Sequence, residues 1–430
     1  MFSLRLPLLI LTVTMSLPTS GADFPLPEKL PATPSLPNAL TMFDGSRVET
    51  AKDWSEKRAP ELRALFQHYM YGQQPSSVRV QGKILRSDPA AFGGKATLKE
   101  VAVGVGQAAP IHLLIVVPNQ RKKPAPCFLG LNFSGNYALV TDPLVQMPAG
   151  WVSEKYAGAE KNRAGEAGRG KQVDAWAIEQ TIDRGYAVAS FFNGDVVPDQ
   201  LDFAVEKLAR FRPPGMAADA GDAPATIMVW AWAFSRMIDY LVTDQDIDAQ
   251  RIAVVGHSRN GKTALVAAAF DPRIAMAIPS QAGCGGTAPS RMAPELSAPQ
   301  ENGRPKAETV AVINKSFPHW FCGNFKPFGA APEKLPFDQH ELIALCAPRP
   351  VLVSCAVEDG WSNPPGQFEA LQAAHPVYQL VAGDGLGAAV APEVGKLLAS
   401  RLGYFIRPGK HSMTGEDWKA WLDYADWWLR

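Results

Sequence analysis

The run RIAVVGHSRNGKTALVAAA, residues 251–269, constrains the fold of this chain more than any other segment. An apolar, β-branched stretch, Ile252–Val255, gives way at Gly256 to a segment that becomes alanine-rich within a few residues, so a strand must turn abruptly into a helix. Such a turn can serve two incompatible chemistries. Gly256-His257-Ser258-Arg259-Asn260 resembles G-x-S-x-G, the nucleophile elbow, apart from Asn260 in the place of the last glycine. An elbow presents its serine at the top of a sheet, and the next backbone N–H helps to stabilise an oxyanion. Gly256 through Thr263 also satisfies G-x-x-x-x-G-K-[ST], in which backbone amides and Lys262 would hold nucleotide phosphates. As a bare pattern the phosphate loop is the better match.

The amino terminus reverses that ranking. Arg5, the apolar run Leu6 to Leu17 and the small residues Ser20-Gly21-Ala22 form a secretory signal over residues 1–22, leaving 23–430 as a single catalytic domain in a secreted or periplasmic protein. Nucleoside triphosphates are scarce there, although VLVSCAVED can imitate the strand that holds magnesium in a nucleotide-binding fold. The leader's apolar run is shorter than the ~20 residues of a spanning helix, and the next candidate, Thr226 to Val242, carries Arg236 and Asp239, so no stable membrane insertion is expected after cleavage. Forty-two basic residues balance 42 acidic ones, which leaves no global field to gather nucleic acid. The five cysteines are an odd number, so at least one thiol stays free. Cys127 and Cys355 lie in apolar strand-like runs and read as buried thiols, whereas Cys284 and Cys322 lie in loop-like contexts and could pair. Without CxxC or HExxH, neither a metal site nor a cofactor is expected.

Strand candidates occupy Val78 to Arg86, Thr97 to Val105, Ile111 to Val117 and Cys127 to Phe133. From about Ala175 helices and strands alternate. Helix Ala175 to Arg184 precedes strand Tyr186 to Phe192, and helix Thr226 to Val242 precedes the strand of the elbow. Further strands are expected at Ile274 to Pro279, Val351 to Val357, Val377 to Val381 and Tyr404 to Arg407, with a helix from Gly415 to Leu429 and a loop insertion from Ser290 to Lys306. The order implies a mainly parallel sheet with helices on both faces and its site at the carboxyl ends of the strands. An elbow serine then demands an acid and a histidine, in that order, on later loops. His319, His340, His375 and His411 all follow Ser258. His375 ends the helical run FEALQAAH, where a cation at a helix carboxyl end is explanation enough. His411 follows a strand in the loop RPGKHSM, where this fold places its general base. Asp359, just past strand Val351 to Val357, can orient the imidazole and stabilise its cation; as an alternative it caps the turn DGWSNP, and Glu358 is then the next candidate acid.

With these residues placed, the chain resembles the glucuronoyl esterases of carbohydrate esterase family 15 from about Phe66 to the carboxyl terminus. The matches are densest in GLNFSGN, AWAFSRMIDYL, VVGHSRNGKTAL, AGCGGTAPSR, SFPHWFCGNF, DQHELIALCAPRPV, EDGWSNP and GKHS. The resemblance implies an α/β-hydrolase fold and a serine esterase acting on (4-O-methyl)glucuronate esters of glucuronoxylan, including ester links to lignin. It implies Ser258 as nucleophile, His411 as base, Arg259 in the oxyanion hole, and Lys262, Glu308 and Trp361 as substrate-binding residues. A guanidinium beside the nucleophile strengthens its hydrogen bonds as negative charge develops, and Lys262, at i+4 from Ser258, faces the same pocket. One position departs: where many members carry a triad glutamate, Gln281 stands here, and an amide cannot supply the charge. Asp359 is then expected to act as the acid. The alternatives are an acetyl xylan or other carbohydrate esterase of the same fold, and a weakly active carbohydrate-binding homologue.

Overall fold

The computed structural model describes residues 24–106, 108–300 and 303–430, and the leader read at 1–22 lies outside them. Nine strands form the main sheet: β1 (Val80–Ala91), β2 (Ala96–Val105), β3 (Ile111–Pro118), β4 (Ala125–Asn132), β5 (Ala187–Phe192), β6 (Ile247–His257), β7 (Met276–Ser280), β8 (Val351–Ala356) and β9 (Leu402–Arg407). They lie in the order β1-β2-β3-β5-β4-β6-β7-β8-β9. The pairs β1–β2, β2–β3 and β3–β5 are antiparallel, and every pair from β5–β4 to β8–β9 is parallel. The mainly parallel sheet read from the sequence is therefore present, with an antiparallel edge.

Both faces of the sheet are covered, and successive strand residues serve opposite cores. Cys127, Leu129, Ile252 and Val254 pack with the helices α1 (Thr226–Leu241), α2 (Arg259–Phe270) and α3 (Pro364–Ala382). Phe128, Ala253 and Val255 pack on the other side with Trp176 and with α4 (Gly415–Trp428). β5 and β6 flank β4 on opposite sides, so the strand order reverses there. The segments following β4 and β6 open at this switch point, where open α/β sheets bind ligands.

Two sequence expectations fail locally. Val377 to Val381 is the last part of α3 rather than a strand. Its apolar, β-branched run suggested a strand, but Phe368, Leu371, Ala374 and Tyr378 form a helical stripe buried in the core, and that burial overrides the local preference. His375 accordingly lies inside α3 instead of ending a helix, and its Nδ1 accepts the Leu386 N–H at 3.0 Å. The helix expected over Ala175 to Arg184 is two short helices, Val173–Trp176 and Ile178–Asp183, divided at Ala177 with φ 41°.

Candidate active site

β6 passes into α2 through one residue, Ser258, with φ 59° and ψ −126°. A non-glycine residue in this region costs about 1–3 kcal/mol and persists only where its surroundings hold it. They hold it here by close backbone approach. A Cβ at Gly256 would lie 2.0 Å from the Asn260 carbonyl oxygen, and one at Gly261 would lie 2.8 Å from that of Ser280. The second small residue of the elbow is thus Gly261, one place beyond the expected position. Asn260 is fully buried and its Nδ2 donates to the Leu131 carbonyl at 2.8 Å. The single-residue turn leaves no loop to wrap a phosphate. The Lys262 ammonium, moreover, donates to the carbonyls of Ala282 and Cys284 at 2.7 and 2.6 Å, so the phosphate-loop reading falls away.

His411 and Asp359 come together from loops after β9 and β8. The His411 Nδ1 lies 2.7 Å from Asp359 Oδ2, which requires the Nδ1–H tautomer and leaves Nε2 as the basic nitrogen. The imidazole is 40% exposed, enough to exchange protons with solvent, whereas the carboxylate is 2% exposed. Burial alone would raise the Asp359 pKa, but the hydrogen bond and charge of His411, with the Ser362 N–H, hold it below the usual carboxylate value. Asp359 also caps the turn Gly360–Ser362, so both of its expected roles coexist. Neighbouring Glu358 is exposed on the surface. His257, just before the nucleophile, lies with its ring centroid 4.4 Å from that of His411. Burial, followed by the nearby His411 charge, pushes its pKa down to about 3, so it stays neutral beside His411.

Arg259 opens α2. Its guanidinium pairs with Asp199 and lies 4.9 Å from the Trp320 ring centre and 5.5 Å from those of Phe133 and Phe317. Its Nε is buried without a hydrogen-bond partner, so one donor of the guanidinium is uncommitted. Asp199 also accepts from Trp320 Nε1 at 2.7 Å and lies 3.1 Å from His319 Nε2. Burial would raise the Asp199 pKa, but His319, Arg259 and Trp320 together bring it down to about 2. Lys262 is 3% exposed, which excludes a surface lysine, and its ammonium lies 3.0 Å from Glu308 Oε2. Glu308 is 6% exposed, and its backbone N–H donates to the Trp361 carbonyl at 2.9 Å.

Two cavities meet at Ser258 and His411. One, of 230 Å³, is lined by Arg259, Lys262, Glu308, Trp320 and Trp361. The other, of 410 Å³, is walled by Leu131, Phe133, Tyr156, Trp176 and Met413. All seven residues expected at the site therefore lie on the two cavities or, for Asp359, directly behind the base. Asp199, His319 and the aromatic walls Phe133, Tyr156 and Trp176 were not expected. Of these only Phe133 and His319 lie in segments, GLNFSGN and SFPHWF, that stood out in the sequence. All five cysteines are free and buried, so the pairing considered for Cys284 and Cys322 does not form. Among the described residues no group of three or more His, Cys, Asp or Glu side chains is arranged to hold a metal ion.

Sheet topology, elbow and acid-linked histidine are those of an α/β-hydrolase. A family model for fungal glucuronyl esterases matches residues 174–382. Carbohydrate esterase MZ0003, from an unknown prokaryotic organism, is 42% identical over 91% of this chain and 89% of its own. A 4-O-methyl-glucuronoyl methylesterase of Wolfiporia cocos is 28% identical, over 86% of this chain and 80% of its own. Among solved structures, a promiscuous CE15 esterase from a marine bacterial metagenome superposes with a TM-score of 0.82 at 39% identity, covering 93% of this chain and 98% of its own. The glucuronoyl esterase of Solibacter usitatus does so with 0.82 at 33% identity, covering 93% and 99%. The chain belongs to the glucuronoyl esterases, carbohydrate esterase family 15.

Proposed function

We propose that this enzyme hydrolyses esters of glucuronate and 4-O-methylglucuronate, such as those joining glucuronoxylan to lignin alcohols, with Ser258 as nucleophile. His411 Nε2 takes the Ser258 proton as Oγ attacks the ester carbonyl, and Asp359 stabilises the imidazolium. The Arg259 backbone N–H and guanidinium stabilise the oxyanion. His411 then returns the proton to the leaving alcohol. Water, deprotonated in turn by His411, attacks the glucuronoyl-serine; the acyl–Oγ bond breaks, His411 returns the proton to Ser258 Oγ, and the uronate is released. The sugar ring occupies the cavity of Lys262 and Glu308 with Trp361 at its side, and the alcohol occupies the apolar cavity.

The observation that carries this reading is the buried Lys262–Glu308 pair in the same cavity as Ser258 and the Asp359-linked His411. A cation and an anion fixed together suit the hydroxyls of a sugar, and the Arg259 charge suits the oxygen of its ester carbonyl. The reading includes residues 1–22 as an export leader and 23–430 as one catalytic domain working outside the cytoplasm. Among the described residues no helix is long and apolar enough to cross a membrane. The test is Ser258→Ala, which should abolish turnover of methyl glucuronate and labelling by a serine-directed phosphonate while leaving thermal unfolding unchanged. Retained turnover would end the serine mechanism. The size of the apolar cavity, and a relative described as promiscuous, favour a second reading in which other carbohydrate esters are also accepted.

A further inference from the structure

We infer that Gln281 is a positioning residue whose side-chain amide locks the loop carrying His411 and ties it to the strand end that carries Ser258. Gln281 directly follows β7, is 1% exposed and has φ 49°. Its Nε2 donates to the Ser412 carbonyl at 2.7 Å, and its Oε1 accepts the Ser412 N–H at 3.0 Å. Ser412 offers one acceptor and one donor, and only one orientation of the amide satisfies both. Two parallel bonds to one residue fix its rotation as well as its position, and that residue is the next one after His411.

The preceding residue holds the other reactant. The Ser258 N–H donates to the Ser280 carbonyl at 2.9 Å, so the main chain of residue 280 grips the nucleophile while the side chain of residue 281 grips the base loop. Gln281 is itself fixed by its N–H on the Ser354 carbonyl at 2.7 Å. The strained φ follows from these bonds and costs folding energy to keep. A second grip comes from behind: Arg407 donates to the Ser412 carbonyl at 2.7 Å and pairs with buried Asp417 at 2.7 Å. Arg407 reaches only the carbonyl and Oγ of Ser412, so the Ser412 N–H depends on Gln281 alone.

These contacts also explain why an amide suits this position. The His411 Nδ1 proton is committed to Asp359, so a second carboxylate would find no proton on that nitrogen. Ionised, it would instead face the Ser412 carbonyl and repel it. Gln281 is a hydrogen-bonded brace, and its work complements that of Asp359.

The inference rests on His411 being the general base. Its test compares the parent enzyme with Gln281→Met, Gln281→Glu and His411→Ala on benzyl glucuronate, with kcat expressed per site titrated by a phosphonate. Gln281→Met should lower kcat about 10- to 100-fold with KM within about two-fold, the cost of a small misplacement of the base. A purely structural role would lower the titratable fraction and leave kcat per site unchanged, and that result would overturn the inference. Gln281→Glu adds a pH signature. A protonated acid can donate to the Ser412 carbonyl as the amide does, so kcat should fall as pH rises through that carboxyl's titration, a falling limb that the parent lacks. The charged and titratable groups around that position are His411, His257, Asp359, Arg407 and Asp417, with Arg259, Lys262 and Glu308 in the shared cavity; parent and variant have them in common. A parent-like profile in Gln281→Glu would overturn the inference even if Gln281→Met failed to fold. Full activity in His411→Ala would instead remove the reading on which it rests. An inactive His411→Ala beside a fully active Gln281→Met would defeat the brace alone.

Discussion

The two cavities that meet at Ser258 differ in the physics they offer an ester. The smaller one presents charges already paired with each other or with backbone carbonyls, Lys262 on Glu308, Ala282 and Cys284 and Arg259 on Asp199. A ligand that covers these groups without hydroxyls strips them of water and returns no hydrogen bond, which is how a site rejects an analogue by large factors. The larger cavity has Leu131, Phe133, Leu139, Tyr156, Trp176 and Met413 on its walls. Apolar walls discriminate by only about 1–3 kcal/mol per methylene. The enzyme should therefore be strict towards the acid half of its ester and permissive towards the alcohol half.

The variant with the largest expected effect spares that contrast. On the proposed mechanism Asp359→Asn disables a base shared by both cavities and should cost up to about 10⁴ in kcat on benzyl glucuronate and benzyl acetate alike, measured by steady-state kinetics. Adding Gln281→Glu should not rescue it, because the residue 281 side chain faces Ser412. Lys262→Met attacks the strict side: kcat/KM for benzyl glucuronate should fall about 10²- to 10³-fold while benzyl acetate changes less than about three-fold. Equal losses on both esters would break the contrast.

Asp199→Asn loosens Arg259, which lines both cavities. Asp199 titrates at about 2 in the folded protein against an ordinary 3.8. Between these values the unfolded chain binds more protons, so this group's stabilisation, on the order of 2 kcal/mol, is present above about pH 4 and is lost as pH falls towards 2. Urea midpoints measured across that window should slope less steeply in Asp199→Asn than in the parent. The smallest effect belongs to the permissive side, where Tyr156→Ala should reduce the preference for benzyl over methyl glucuronate by about five-fold, measured as a ratio of kcat/KM.

What could be read from the sequence was the part encoded by neighbours along the chain. A strand, a glycine turn and a small-residue helix specify the elbow around Ser258, and strand-then-loop positions single out Asp359 and His411. Asp199 gave no such signal: it lies in VVPDQ, 60 residues before Arg259, and only the fold brings it under the guanidinium. Gln281 was visible as a departure from a family pattern, yet its partner Ser412 is 131 residues away. The absence of a charge was legible there, and the presence of a brace was not. The segment Val377 to Val381 failed for the opposite reason, since a strand-like local sequence yielded to a helical stripe buried in the core.

The most direct measurement compares kcat/KM for benzyl glucuronate and benzyl acetate, which share a leaving group and differ only in the acid, in the parent enzyme and in Ser258→Ala. The expected result is a preference for the glucuronate of at least about 10³ in the parent and loss of both activities in the variant. Equal turnover of the two esters, or glucuronate hydrolysis that survives loss of the Ser258 hydroxyl, would contradict it.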